Sequence, residues 1–159
     1  MRAGTLMLAA TAMAFTGVAV SAKDAKPNPD AAGIVAGRQA AYLMSGATFG
    51  AMKGAIDKGV DVKTQAFAAR GLARWAKAIP GMFPAGTNIA PTNALPNVWS
   101  DRAGFETKAA DYAAAADKLA GFAKAGDAVG FATQWAETGK TCKACHDTYR
   151  KPDEPKKPS

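Results

Sequence analysis

Histidine and cysteine are scarce in this chain of 159 residues, which contains one histidine and two cysteines. All three stand together in the segment Cys142-Lys143-Ala144-Cys145-His146. A structural zinc site needs about four cysteine or histidine ligands, so one chain cannot complete such a site. The sequence also lacks the alternation of apolar and polar residues that marks strands, which argues against a βαβ redox fold around the cysteines.

The segment that holds these residues has the pattern for covalent attachment of c-type heme. Each thiol adds across one of the two heme vinyl groups. Because the vinyl groups lie on neighbouring edges of the ring, both sulfurs must come from one short segment. His146 follows directly, where its imidazole nitrogen can bind the iron as the proximal ligand. A disulfide between Cys142 and Cys145 is the simpler alternative, but it leaves the adjacent histidine unexplained. We therefore predict one covalently attached heme c per chain.

Long apolar runs are absent except near the N-terminus, where residues 6–20 are apolar and rich in alanine and methionine. Arg2 precedes this run, and Val20-Ser21-Ala22 places small residues at the positions that a signal peptidase requires. The run is too short and too early for a membrane span, and an uncleaved anchor is the alternative. The sequence predicts a signal peptide over residues 1–22, periplasmic localisation, and no membrane attachment after cleavage.

Dense blocks of basic residues are also absent before Lys156-Lys157, although the formal net charge is +7. We interpret the excess as a solvated surface that suits an anionic redox partner, and not as a nucleic-acid footprint.

The length suggests one domain, and four amphipathic helices are predicted in it. A polar lead-in over residues 23–30 comes first, and a disordered, charged tail over residues 151–159 comes last. The helices are expected at 31–58, 63–79, 101–125 and 128–150. Asp30, Ser100 and Asp127 are the predicted N-caps, and Gly59 and Gly126 the predicted stops. Residues 80–99 contain four prolines and form a long connection. This pattern predicts an all-α antiparallel four-helix bundle over residues 31–150, with the heme near its last helix.

The predicted core faces of the first and last helices follow steps of three and four residues, and large apolar residues indicate the inward faces of the other two. In chain order they comprise Tyr42, Ser45, Phe49, Met52 and Ile56; Phe67, Leu72, Trp75 and Ile79; Phe105, Tyr112, Leu119 and Phe122; and Phe131, Trp135, Thr138, Cys142, Cys145 and Tyr149. The cysteines share a face with core aromatic residues, so we expect the heme inside the bundle.

The chain resembles the cytochrome c′ family, the class II c-type cytochromes, over residues 31–151. The resemblance rests on three segments: the attachment motif with the residues that follow it to Arg150, Val98-Trp99-Ser100-Asp101, and Arg38-Gln39 followed by Phe49-Gly50-Ala51-Met52. It implies a heme held by the C-terminal helix of a four-helix bundle, and a homodimer formed through the first two helices.

The resemblance also implies roles for residues outside the motif. Arg38 and Gln39 match the pair that contacts the heme propionates, and a guanidinium suits a carboxylate; an ordinary exposed helix arginine is the alternative for Arg38. Asn93 is expected over a propionate as well. Arg150 matches a basic residue beside the proximal pocket, or it simply favours the negative end of the helix dipole.

Tyr42 occupies the position that decides the sixth iron ligand in this family. In low-spin members a methionine stands there and binds the iron, whereas in high-spin members a bulky residue leaves the iron five-coordinate. Met44 is the competing residue. It lies about 200° around the helix from Tyr42, so the two cannot both face the heme. The larger apolar stripe contains Tyr42, which favours Tyr42 as the distal residue and Met44 at a helix or subunit contact.

Two functions remain open on this basis. The first is a five-coordinate heme protein that binds nitric oxide or carbon monoxide. The second is a low-spin electron carrier with Met44 as the sixth ligand. A heme-free helical binding module would leave the attachment motif unexplained. An enzyme is not indicated, because the single histidine is assigned to the iron and no distal base is visible.

Overall fold

The structure, a computed structural model, describes residues 28–152. It contains the helices α1 (Ala31–Asp57), α2 (Ala66–Ala78), α3 (Asn97–Ser100), α4 (Arg102–Ala125) and α5 (Ala128–Tyr149). Turns of 3-10 helix at Val62–Gln65 and Ile79–Met82 flank α2. Within residues 28–152 there is no strand, only an isolated antiparallel bridge between Ala94 and Arg150. The predicted all-α class is confirmed. The predicted signal peptide, most of the lead-in and residues 153–159 of the predicted tail lie outside the described residues.

The four long helices form the predicted bundle, in which α2 and α5 each pack against both α1 and α4. Only Gly126 and Asp127 separate α4 from α5, so these helices run antiparallel. Gly126 ends α4 with a φ of 77°, a left-handed conformation that glycine adopts without strain. None of the helices in the described part of the chain is both long and apolar enough to cross a membrane.

The predicted N-caps have three different outcomes. Asp127 caps α5, because its Oδ1 accepts a 2.8 Å hydrogen bond from Gly130 N. The prediction that Ser100 caps α4 is wrong, because residues 97–100 form the separate turn α3. Asp101 is the N-cap instead, and its Oδ1 accepts a 3.2 Å hydrogen bond from Gly104 N. Asp30 precedes α1 but makes no side-chain cap.

The core has two parts along the bundle. At the end that contains the α4–α5 turn, Met52, Leu72, Leu119 and Phe131 are 0–3% exposed and pack together. At the other end, the buried residues surround a cavity. The predicted core faces are confirmed except for Phe67, which is 78% exposed. Phe67 stands five residues before Leu72, which places it about 140° around α2 from that residue, and Ala69, Ala73 and Ala76 complete the buried face instead.

The connection between α2 and α3 is held in place by side chains that donate to its backbone carbonyls. Arg102 donates to Pro80 O at 2.7 Å and to Phe83 O at 3.0 Å, and Trp99 Nε1 donates to Pro84 O at 3.0 Å. These bonds fix the loop as one wall of the cavity.

The far end of this connection is tied to the C-terminus of α5. Asn97 Nδ2 donates to Thr148 O at 2.8 Å, and Leu95 N donates to Tyr149 O at 2.9 Å. Lys151 N in turn donates to Asn93 O at 2.8 Å. The loop therefore closes the cavity end of the bundle beside the predicted attachment segment.

Candidate heme-binding cavity

A cavity of about 660 Å³ lies between the four long helices and the 83–98 part of the connection. Its volume falls within the range of about 300–1,000 Å³ that is typical of small-molecule and cofactor sites. Most of its walls are apolar; they include Ile79, Phe83, Val98, Phe105 and Ala109. A flat apolar group therefore suits this space.

Cys142, Cys145 and His146 all line the cavity from α5. Both cysteines are free thiols and half-buried. Burial raises the pKa of the Cys142 thiol and of the Cys145 thiol, so both remain protonated at neutral pH. The structure thus brings the whole predicted attachment set to one wall of one cavity.

Tyr149, one turn after Cys145, joins this wall to α4. Its hydroxyl donates a 2.6 Å hydrogen bond to Asp101 Oδ2, and its ring meets Phe105 edge-on at a centroid distance of 5.4 Å. The hydrogen bond to Asp101 raises the pKa of Tyr149 to about 12. The spacing of α5 predicts Tyr149 in the core, as observed, but it gives no signal for the polar partner Asp101, which the sequence marks only as part of the Val98-Trp99-Ser100-Asp101 segment.

Tyr42 faces the cavity from α1, and Met44 does not. The Tyr42 ring packs edge-on against Trp75 at a centroid distance of 5.0 Å and lies 6.4 Å from the ring of Phe83. Burial, and secondarily the neighbouring Cys145, raise the pKa of Tyr42, so its hydroxyl keeps its proton. Met44 is 70% exposed and is not part of the cavity wall. Leu43, which the helical stripe of α1 does not include, is 77% exposed and yet borders the cavity.

Arg38 is placed differently from both sequence interpretations. It is 2% exposed, so it is not an ordinary surface arginine. Its guanidinium donates to Met82 O, to Thr87 O and Oγ1, and to Thr92 Oγ1 at 3.0–3.2 Å, and it lies 4.3 Å from the centroid of the Phe83 ring. It is not among the residues that line the cavity. In this structure Arg38 therefore fixes the loop that carries Phe83, and its predicted contact with a propionate stays a prediction.

The other predicted polar residues do come together at the cavity. Gln39, Asn93 and Arg150 all line it. Gln39 Nε2 donates to Pro91 O at 2.6 Å, and Arg150 N donates to His146 O at 3.1 Å. Gln39 and Asn93 are exposed, so a carboxylate between them could be hydrated as well as hydrogen-bonded.

These residues fit a heme. Two thiols stand in one short segment of an apolar, largely aromatic wall, and polar side chains stand where carboxylates could reach water. The fold and the cavity together define a four-helix-bundle protein of the c-type heme class.

Comparison with known proteins gives the family. The family model for Cytochrome C′ matches residues 33–150. The chain belongs to the cytochrome c′ family, and its cofactor is the heme c that this family binds.

Individual relatives agree with this assignment. Cytochrome c′ from Rubrivivax gelatinosus is 48% identical over 59 residues, which span 37% of this chain and 46% of that protein. Cytochrome c-556 from Agrobacterium tumefaciens (strain B2A) is 35% identical over 122 residues, which span 75% of this chain and 98% of that protein. Among solved structures, the nitric oxide complex of a mutant cytochrome c prime from Alcaligenes xylosoxidans superposes with a TM-score of 0.72 at 28% identity, covering 79% of this chain and 99% of that chain.

Proposed function

We propose that this protein is a periplasmic, five-coordinate heme protein that binds nitric oxide or carbon monoxide. The observation that carries the proposal is the position of Tyr42 in the cavity wall with Met44 exposed outside it. A neutral tyrosine is a weak iron ligand, and burial raises the pKa of Tyr42. The solved nitric oxide complex of a structural neighbour supports the same reading.

The site residues have separate roles in this proposal. Cys142 and Cys145 form the two thioether bonds, and His146 is the axial iron ligand. Gln39 and Asn93 lie where they can contact the propionates, and Arg150, at the end of α5, is the basic residue beside the proximal pocket. A heme held by these residues would supply an iron that can bind a diatomic molecule.

The chain itself controls what reaches that position. The apolar walls exclude polar ligands and disfavour a charged species. The Tyr42 hydroxyl can donate a hydrogen bond there without giving up its proton. Arg38 keeps the Phe83 wall in place through its bonds to the loop.

A low-spin electron carrier with Met44 as the sixth ligand is disfavoured by the packing of α1. To bring Met44 to the cavity, α1 would have to turn by about 200°. That rotation would remove Tyr42 from the cavity and Met52, which is 0% exposed, from the core. Electron transfer to an anionic partner through the basic surface is compatible with either coordination state.

A homodimer through α1 is part of the proposal. In the described residues before Lys53, the exposed side of α1 carries no charged residue, because its one charged residue, Arg38, is buried. Leu43 and Met44 are 77% and 70% exposed on this side. An uncharged face with two large apolar side chains suits contact with a second copy.

Optical spectra of the exported protein test the proposal. The ferric and dithionite-reduced forms are recorded before and after addition of carbon monoxide or nitric oxide. A broad, unsplit visible band on reduction, with a large shift on adding the gas, is the expected result. Sharp α and β bands that carbon monoxide leaves unchanged would contradict it and point to a sixth protein ligand. The intact mass of the same sample, expected to start at Lys23 and to include one heme, tests export and attachment.

A further inference from the structure

Two basic side chains, Lys108 and Arg150, belong to the cavity wall, and the described part of that wall contains no aspartate or glutamate. Arg150 lies at the end of α5, whereas Lys108 lies in the second turn of α4 and is half-buried. Within residues 28–152, the ammonium of Lys108 belongs to none of the ion pairs. Its charge is therefore balanced neither by an acidic residue of the wall nor by an ion pair.

Lys108 lies beside Cys145, on the side of the cavity where α4 faces α5. Burial raises the pKa of the Cys145 thiol, and the positive charge of Lys108 acts in the opposite direction and lowers it, which places the two side chains close together. Lys108 and Thr141 also line the open groove between α4 and α5, so Lys108 stands between the cavity and solvent. A thioether at Cys145 ties one edge of the heme to that residue, and that edge therefore lies near Lys108.

We propose that the positive charge of Lys108 raises the reduction potential of the heme iron. The inference rests on the proposed function, because it requires heme in the cavity. Reduction transfers one electron from an external donor to the ferric iron, so the ferrous heme carries one positive charge less. A nearby cation disfavours the ferric form, and the low dielectric of a cavity strengthens this repulsion.

The propionates do not remove this effect, because they extend from the half of the ring opposite to the two thioether bonds. Their charges therefore lie farther from Lys108 than the ring edge at Cys145 does. Carbon monoxide binds ferrous heme, so Lys108 favours the oxidation state that binds this gas. The charge of Lys108 thus supports the proposed gas-binding function without contact with the gas.

A spectroscopic redox titration of the heme-loaded protein tests this inference. Lys108→Gln removes the charge and keeps a long polar side chain. At the potential where the wild type is half reduced, we expect a ferric-to-ferrous ratio at least about threefold higher in Lys108→Gln. Lys108→Arg keeps the charge and should restore the wild-type ratio, which a purely structural role of the lysine does not predict. Lys108→Leu replaces Lys108→Gln if the latter does not take up heme.

Lys118→Gln is the matched control, because Lys118 lies on the same helix and lines the groove but not the cavity. Its ratio should match that of the wild type, since salt screens an exposed charge at this distance. An unchanged ratio in Lys108→Gln, or equal shifts in the two variants, would overturn the inference. A wild type that carries no heme would instead contradict the proposed function. A six-coordinate wild type would contradict only the proposed coordination state, because the charge of Lys108 acts on the iron in either case.

Discussion

Tyr149 and Asp101 are joined by a 2.6 Å hydrogen bond that connects the last turn of α5 to the start of α4. Asp101 uses its other carboxylate oxygen to cap α4 at Gly104 N. The arrangement requires glycine at position 104, because a Cβ there would lie 2.4 Å from Asp101 Oδ2 and 2.5 Å from the Tyr149 hydroxyl oxygen. The helix that carries His146 is thus held by a pair that tolerates no side chain between its members.

Gly104→Ala should lower the free energy of unfolding by about 1 kcal/mol or more, since it displaces the Asp101 cap. The matched control is Gly71→Ala on α2, where an added Cβ meets nothing within 4 Å. Replacing that helical glycine should instead raise the free energy of unfolding by about 0.5–1 kcal/mol. Urea unfolding followed by helical circular dichroism measures both, and equal effects of the two substitutions would refute the role of the pair.

The Asp101–Tyr149 bond should also produce a stability change at high pH. The pKa of Tyr149 is raised to about 12 in the folded protein, above the value of 10.0 that a free tyrosine has. The contribution of this bond is therefore fully present below pH 10 and is lost as pH rises from 10 to 12. The melting temperature of Tyr149→Phe should fall less steeply over this range than that of the wild type. If the melting temperatures of the wild type and of Tyr149→Phe fall in parallel from pH 9 to pH 12.5, the bond has no such effect.

If the proposed five-coordinate state is correct, Tyr42→Met should make the iron six-coordinate, because Tyr42 is the residue of α1 that packs against Trp75 and Phe83 at the cavity. A thioether at this position can reach the iron, as the methionine of low-spin family members does. We expect sharp, split α and β bands in the reduced variant and a carbon monoxide affinity at least tenfold lower. Met44→Leu is the control, and its spectra should match the wild type. If the wild type is low-spin and Met44→Leu makes it high-spin, then Met44, and not Tyr42, is the distal residue.

Arg38→Ala should destabilise the cavity wall as well as the fold. Arg38 supplies four hydrogen bonds to the loop, and buried acceptors left unpaired cost about 1–3 kcal/mol each. Chemical denaturation should show a lower free energy of unfolding, and Phe83 should become more accessible to hydroxyl-radical labelling. Arg74→Ala, at an exposed position of α2, should change the free energy by less than about 0.5 kcal/mol. An Arg38 variant as stable as the Arg74 variant would show that the loop does not depend on this side chain.

Met44→Glu should dissociate the proposed homodimer. A charge in an apolar contact between two α1 helices loses its hydration without gaining a partner. Sedimentation velocity should give half the wild-type mass at the same concentration, with unchanged heme spectra. Thr133→Glu, on an exposed position of α5, is the control and should stay dimeric. A wild type that is already monomeric would exclude this interface.

The sequence was most informative where the signal is local. Cys142, Cys145 and His146 lie within one helix, so their spacing alone identifies the motif. Gly126 marks the end of α4 by its left-handed conformation, and Asp127 marks the start of α5 by its capping side chain. Arg38 shows the opposite case. Its partners lie 44–54 residues away in a proline-rich connection, and no helical period relates them to it. The prediction for Phe67 is wrong for a different reason: its step of five residues to Leu72 lies outside the helical period that relates Leu72, Trp75 and Ile79.

The same division between local and distant contacts has a consequence for the order of assembly. Helices form from contacts close in sequence and fold early, whereas contacts between distant residues form slowly. The loop wall depends on distant contacts, through Arg38 and through Asn97, which reaches Thr148 across 51 residues. We therefore expect the attachment motif to be complete on a nascent α5 while the pocket is still open. A heme linked at that stage would act as the template on which the remaining walls close.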